Sequence, residues 1–480
     1  MPGFRYVDLR MMSGPCCTDA GTDLVVDEEG SILVAGFRGS IDLDQDGKID
    51  IPTFGRPDAI VSKVSLVDGV NTGWTRGPGG PTQDRADAVA SDRDGGVFVA
   101  GMFNEVLQMT ETTRLPSAGK SDGFLARYGR DSELDWGRPI GGPGEDLMED
   151  VASDSEGNVV VIGTVFGAVD VDRDGDVDVT AGDHGAALVA SFTRDGDLRW
   201  LRASDATTLA AGKRVAIGPK DEIYIAGYYR NGAPDFEGDG EPDLPVAEPA
   251  PPSVTDPTLL DYNAFYARLN AHGSLVWIRG VSGPASQAVA SLAIAANGDL
   301  LVLGGYSAPP DFDGDGVPDL EFRSMADRIF KYSLDMNAFL MQVTPGGEGV
   351  WTTTYTAAAE HVAATGSRIV MSGKYTNHFD IDDDGVPERE ADDDDQYEGF
   401  AAILDNEGQL QQVITIVGGH IDVVNAGGFS PDGNTLYLTG HTSSGADFDG
   451  DDEIEVASVC HKAGELYLAI YALEGTARTR

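Results

Sequence analysis

Seven times along this chain a short run of alternating apolar residues ends in glycine, at residues 32–36, 97–101, 159–163, 223–227, 300–304, 369–373 and 436–440. Successive glycines, from Gly36 to Gly440, stand 65, 62, 64, 77, 69 and 67 residues apart. A recurrence of this length over 480 residues points to a repeat architecture in which like units stack side by side.

Each unit reads as four short strands. In the second unit the first strand is expected at 87–92. A tight turn follows at 93–96, with glycine where a positive φ is needed. The glycine-ending segment is strand two, a long connection follows, and strands three and four fall at 123–128 and 134–140. Third strands are expected elsewhere at 59–64, 187–192, 264–269, 338–343 and 399–404. All five tryptophans, Trp74, Trp136, Trp200, Trp277 and Trp351, fall at one place on strand four, where the sixth unit has Gln412. Rings at a fixed repeat position are expected to pack between neighbouring sheets, with a ligand shelf as the alternative.

The seventh unit ends after its third strand, 466–473, and lacks a fourth. The N-terminal segment 4–12 offers one. It is followed by Ser13-Gly14-Pro15, as fourth strands elsewhere are followed by Gly79-Gly80-Pro81, Gly141-Gly142-Pro143 and Ser282-Gly283-Pro284. Counting back from Pro15 puts Asp8 at the tryptophan position. The expected fold is therefore all-β. It is one seven-bladed β-propeller over 1–480, closed by the N-terminal strand so that no sheet edge is left free. The blade units are 20–83, 84–146, 147–210, 211–285, 286–358, 359–422, and 423–480 completed by 1–19.

A second pattern rides on the first. Six of the seven connections between strands two and three carry carboxylates at alternate positions, with another at position nine. They are Asp42, Asp44, Asp46 and Asp50; Asp170, Asp172, Asp174 and Asp178; Asp235, Glu237, Asp239 and Asp243; Asp311, Asp313, Asp315 and Asp319; Asp380, Asp382, Asp384 and Glu388; and Asp447, Asp449, Asp451 and Glu455. Ca²⁺ takes six to eight oxygens. Acids at positions 1, 3, 5 and 9, with the carbonyl of position 7, can wrap one ion. The carbonyl donors would be Lys48, Asp176, Glu241, Val317, Val386 and Glu453. Position 6 is glycine in every loop but the last, which has Asp452. None has Glu at position 12 and no helical pattern flanks them, so these are not EF-hands. Up to six Ca²⁺ ions are expected, mainly in a structural role, because each loop would repel itself without its ion.

The formal charge is −47, and the loop ligands supply 24 carboxylates of it. The acidity that remains argues against nucleic acid and anionic membrane as partners. No apolar run is long enough to span a bilayer, so membrane insertion is not expected. The opening residues lack the apolar core of a signal peptide. The need for calcium favours an extracellular or cell-surface protein whose leader has been removed.

At this level the sequence resembles the bacterial SBBP β-propeller repeats. The resemblance is carried by Asp122-Gly123-Phe124-Leu125-Ala126-Arg127-Tyr128, Leu134-Asp135-Trp136, the following Gly-Gly-Pro, and the Ala88-Val89-Ala90-Ser91-Asp92 hairpin. Integrin-type repeats share the loop chemistry but place it between the first two strands. The SBBP resemblance implies a propeller of extracellular or envelope type and leaves activity open.

Motifs of catalysis are scarce. The seven histidines are scattered, and no His-x-x-x-His, Cys-x-x-Cys, Gly-x-Ser-x-Gly or phosphate loop occurs. Asp87, Asp150, Arg214 and Gln287, at the openings of first strands, are expected to line the central channel. Cys460 is expected to pair with Cys16 or Cys17 across the ring closure. The Pro-rich insertion 246–257 reads as a stiff surface loop and Asp392–Asp395 as a solvated charge run. The leading expectation is a calcium-rigidified binding or assembly module without catalysis, meeting a protein or glycan partner on one propeller face. The alternatives are a calcium-dependent carbohydrate-active lyase or hydrolase using the channel, and a subunit of a surface filament.

Overall fold

The computed structural model describes residues 3–11, 19–40, 49, 51–54, 57–67, 70–71, 73–205, 208–230, 232–245, 262–283, 286–312, 317–320, 337–375, 378–379, 381, 389–390, 397–418, 421–443, 445–451, 453–455 and 464–474. Alternation of β-branched and aromatic residues, interrupted by Gly-centred turns, yields seven four-stranded antiparallel blades, one of them extended by a short strand of the next blade, and no helix among the described residues. The architecture is a seven-bladed β-propeller.

Blade two shows the plan. Its strands are Arg85–Ser91, Val97–Gln108, Arg114–Tyr128 and Leu134–Ile140, paired in sequence order from the channel outward. Gly95 takes φ 79° in the first turn, a conformation that costs glycine nothing. The long connection expected after strand two is in part a ladder. Strands two and three run on beyond the blade as a hairpin, with Leu115 opposite Leu107.

Seven hydrophobic clusters hold the ring, one at each junction between neighbouring blades. Each fully buried Leu, Val or Phe in them contributes about 1.5–3 kcal/mol by leaving water. The tryptophans belong to this packing. Trp136 covers Gly196 of the next blade and donates from Nε1 to the Arg194 carbonyl at 2.9 Å. Trp200, Trp277 and Trp351 likewise reach the carbonyls of Ala271, Pro345 and Asn406 in the following blades.

The ring closes as the chain ends suggested. Phe4–Met11 pairs antiparallel with Glu465–Leu473, completing the sheet of Val423–Phe429 and Thr435–Thr442. Asp8 stands opposite Ile470, across from Tyr437, the register that Trp136 holds in blade two. Gln412 explains the missing sixth tryptophan. The last blade has no turn between its third and fourth strands, Glu465–Leu473 and Phe4–Met11, because these are not consecutive along the chain. Gln412 Oε1 instead accepts the Phe4 N–H at 2.6 Å, and its Nε2 donates to the Phe4 carbonyl at 2.7 Å. Cys16, Cys17 and Cys460 lie outside the described residues, as do the insertion at 246–257 and the acidic run at 392–395.

Candidate functional sites: rim loops and central channel

Four of the six acidic loops are described at both position 2 and position 9, and they share one construction. The backbone N–H of position 2 donates to the position 9 carboxylate in each: Val171 to Asp178 at 2.7 Å, Phe236 to Asp243 at 2.5 Å, Phe312 to Asp319 at 2.7 Å and Phe448 to Glu455 at 2.5 Å. The position 9 N–H returns to the carbonyl just before the loop, in Val169, Pro234, Pro310 and Ala446. Position 2 is the anchor. Val171 and Phe448 are buried, and Phe236 and Phe312 pack against Phe265 and Phe339 with centroids 4.9 and 5.1 Å apart.

Within this frame the acidic side chains converge. One ligand oxygen from each of Asp447, Asp449, Asp451 and Glu455 lies within 4.8 Å of the others, and the same holds for Asp170, Asp172 and Asp174. Oxygens at 2.3–2.6 Å from one Ca²⁺ have this spread, so both groups fit the ion. Burial first, then the neighbouring carboxylates, pushes Asp449 and Glu455 above the ordinary carboxylate range. Asp178 stands apart, its oxygen taken by the Val171 N–H. Asp235 turns both oxygens to the N–H groups of Gly238 and Gly240, and Asp239 accepts from Glu241. Glu237 does not join Asp235 and Asp239 in a compact group. Of the fourth loop, Asp311, Val317 and Asp319 are described, whereas Asp313 and Asp315 are not. Asp42, Asp44, Asp46, Lys48, Asp50, Asp380, Asp382, Asp384, Val386 and Glu388 also lie outside the described residues.

The loops sit at blade junctions, which the sequence did not disclose. Asp311 exchanges backbone hydrogen bonds with Ser282 at the end of the preceding blade. Asp447 pairs with Val417, and the Asp235 carbonyl accepts the Asp205 N–H. In the loop at 170–178, Arg138 of blade two donates to the Asp172 carbonyl at 2.7 Å, and Arg173 reaches Asp122 at 3.3 Å. Blade two has no acidic loop. Its extended hairpin makes the equivalent link, Gln108 to Gly79 at 2.8 Å.

Pairs of buried carboxylates lie beneath these straps. Asp58 and Asp84 face each other across blades one and two, Asp122 and Asp146 across blades two and three, and Glu398 and Asp422 across blades six and seven. Burial, reinforced by the facing acid, raises Asp84 and Asp422 to about 7 and Asp146 to about 6. The Gly-Gly-Pro repeat follows from them. A Cβ on Gly141 would lie 2.7 Å from Asp122 Cγ and 2.9 Å from Asp146 Oδ2, so no larger residue passes over the pair.

The central channel holds a cavity of about 330 Å³ lined by first strands. All seven of these strands carry a β-bulge at one register. Bulges re-aim side chains, and here they turn Asp23, Asp150, Arg214, Ser291 and His361 toward the lumen. Asp87, Asp150 and Arg214 line the cavity as expected, whereas Gln287 is buried outside it. Burial raises Asp87 and Asp150 to about 7 and pushes His361 down to about 3. His361 is thus neutral, its Nδ1 accepting the Gly427 N–H at 3.3 Å. Asp23, Glu149, Lys213, Glu360 and His361 escaped sequence reasoning because an alternating pattern does not show which side chains a bulge re-aims; the one trace of the bulge is the repeat glycine, which pairs with strand one beside it in every blade.

No protein-family model matches the sequence, and no curated protein matches it. Solved propellers align with it over nearly its whole length at low identity. An inactive variant of virginiamycin B lyase from Staphylococcus aureus covers 96% of this chain and 98% of its own, at 8% identity and a TM-score of 0.41. BamB from Moraxella catarrhalis covers 98% and 100%, at 11% identity and 0.34. A quinohemoprotein alcohol dehydrogenase from Pseudomonas putida covers 100% and 77%, at 11% identity and 0.43. The fold assignment rests on the strand pairing itself. No helix of the described residues is long and apolar enough to cross a membrane.

Proposed function

We propose that this protein is a calcium-stabilised propeller with SBBP-type repeats. It works outside the cell or on its surface as a non-catalytic binding or assembly module, presenting one face to a protein or glycan partner. The observation that carries this reading is the placement of the acidic loops, each described one tied to the end of the preceding blade. An ion that orders such a loop also locks two blades together. Binding to the folded form alone adds about 2.7 kcal/mol per site at a hundredfold excess over the dissociation constant. Blade two, which substitutes a hairpin for the loop, supports the same logic.

Thermal melting of chelated protein with and without millimolar Ca²⁺, alongside metal counting on the native form, tests it. A large rise in melting temperature with five or six ions bound is expected. No shift and no bound metal would overturn both the calcium role and the extracellular assignment. The carbohydrate-active alternative draws on one feature, the polar side chains that the bulges aim into the channel.

A further inference from the structure

The seven bulges expose one backbone N–H each toward the channel, on the residue that follows the lumen-facing position. These are Leu24, Val89, Val151, Val215, Leu292, Val362 and Gly427. Six are accepted by a side chain. Asp23 takes Leu24 and Val89 at 2.8 and 2.9 Å, and Asp150 takes Val151 and Val215, both at 2.8 Å. Ser291 Oγ takes Val362 at 3.1 Å, and His361 Nδ1 takes Gly427. The rule is that each lumen-facing side chain serves the next blade. Where it is alanine, as at Ala88 and Ala426, the following aspartate serves its own successor.

Leu292 breaks the rule. The position that should serve it is Arg214, which has donors only. Among the described residues no side chain accepts the Leu292 N–H. Arg214 makes no ion pair within 4 Å with any of them either, although its charge acts on Asp150 and Asp23 across the channel, and its one side-chain hydrogen bond goes from Nη1 to the Lys213 carbonyl at 2.9 Å. Arg214 and Leu292, on adjacent blades, therefore line one cavity wall, the guanidinium short of hydrogen-bond acceptors and the N–H without a side-chain acceptor among the described residues. Everywhere else around the ring that place is filled.

We propose that the channel binds a small carboxylate-bearing ligand, its carboxylate received by the Arg214 guanidinium and the Leu292 N–H. Arginine binds carboxylates through two parallel charge-assisted bonds, and no carboxylate of the chain lies within ion-pair distance of Arg214 among the described residues. A cavity of about 330 Å³ has room for a ligand the size of one uronic acid. The five acids that line the cavity are engaged: Asp23 and Asp150 each already accept two N–H groups, and Asp87, Glu149 and Glu360 are paired with Arg85, Lys213 and Lys374. Burial also raises Asp23 and Asp150, easing the repulsion a bound carboxylate meets. No Phe, Tyr or Trp lines the cavity, so recognition rests on charge and hydrogen bonds rather than on stacking against a sugar face. This inference is independent of the calcium reading.

Titration calorimetry of the full chain in calcium-containing buffer tests it with D-glucuronate and D-glucose, which differ in the carboxylate. Acetate serves as a minimal probe. Glucuronate is expected to bind one per chain, at least tenfold tighter than glucose. Arg214→Asn supplies an amide oxygen for the Leu292 N–H, so it should keep the melting temperature and lose glucuronate affinity at least tenfold. In the unmodified chain, hydrogen exchange at the Leu292 amide should slow severalfold when glucuronate is added, a readout that needs no variant. Equal binding of glucuronate and glucose, no binding of glucuronate or acetate, full affinity in Arg214→Asn, or unchanged exchange at Leu292 would each overturn the proposal.

Discussion

Gln412→Ala should loosen the seam of the ring without opening the other junctions. The side chain holds both backbone groups of Phe4, at 2.6 and 2.7 Å, from the neighbouring blade. Two neutral hydrogen bonds contribute about 0.5–1.5 kcal/mol each. Phe4 is buried, so its N–H and carbonyl lose these partners where water reaches them poorly. A loss of about 2 kcal/mol follows. The N-terminal strand stays paired along Glu465–Leu473, so the loss falls on local opening of the strand rather than on global unfolding. At about 1.4 kcal/mol per tenfold, amide exchange at Phe4 and Arg5 should rise roughly thirtyfold. Native-state hydrogen exchange reads this directly. Gln411→Ala, which removes an exposed neighbour, is the control. Gln412→Glu keeps the acceptor and loses the donor, so it should fall between the two. Unchanged exchange at Phe4 in Gln412→Ala would show that the side chain does not hold the strand, and the account of the missing tryptophan would fail with it.

Chelation should loosen the junctions strapped by acidic loops and spare that between blades one and two, where Gln108 and Gly79 hold the link. Hydrogen exchange resolved by blade checks this, and uniform loosening would contradict it. Gly273→Ala should cost at least 2 kcal/mol in urea unfolding, because φ is 77° and the new Cβ would lie 2.4 Å from Trp200; a cost under about 0.5 kcal/mol counts against the packing role of the tryptophan. With Asp84, Asp146 and Asp422 raised to about 7, 6 and 7, the folded chain keeps protons between roughly pH 4 and 7 that the unfolded chain has released. Their contribution is therefore fullest near pH 4 and lost as pH rises toward 8. His361, held down to about 3, opposes them, contributing above roughly pH 6.5 and losing that as pH falls. Urea midpoints at pH 5.5 and 7.5 should differ less in Asp84→Asn than in the parent; equal differences would remove Asp84 from the account.

Gly36, Trp136 and Pro143 show why the fold was legible in the sequence. They mark the point of strand two that faces the strand-one bulge, the face of strand four and the exit from the blade, and each repeats because every blade solves the same local problem. Ring closure was legible for the same reason, since a unit one strand short at one end met a spare strand at the other. The acidic loops were legible as chemistry, because alternate carboxylates need only local backbone to converge, as Asp447, Asp449 and Asp451 do. Their place as straps was not. The partners of Asp311 and Asp172, Ser282 and Arg138, lie 29 and 34 residues away in another blade. Nor could the sequence mark Leu292 and Arg214 as a pair. Their shared place on the cavity wall depends on a one-residue bulge in each of two strands and on the angle between adjacent blades, and only the closed ring sets both.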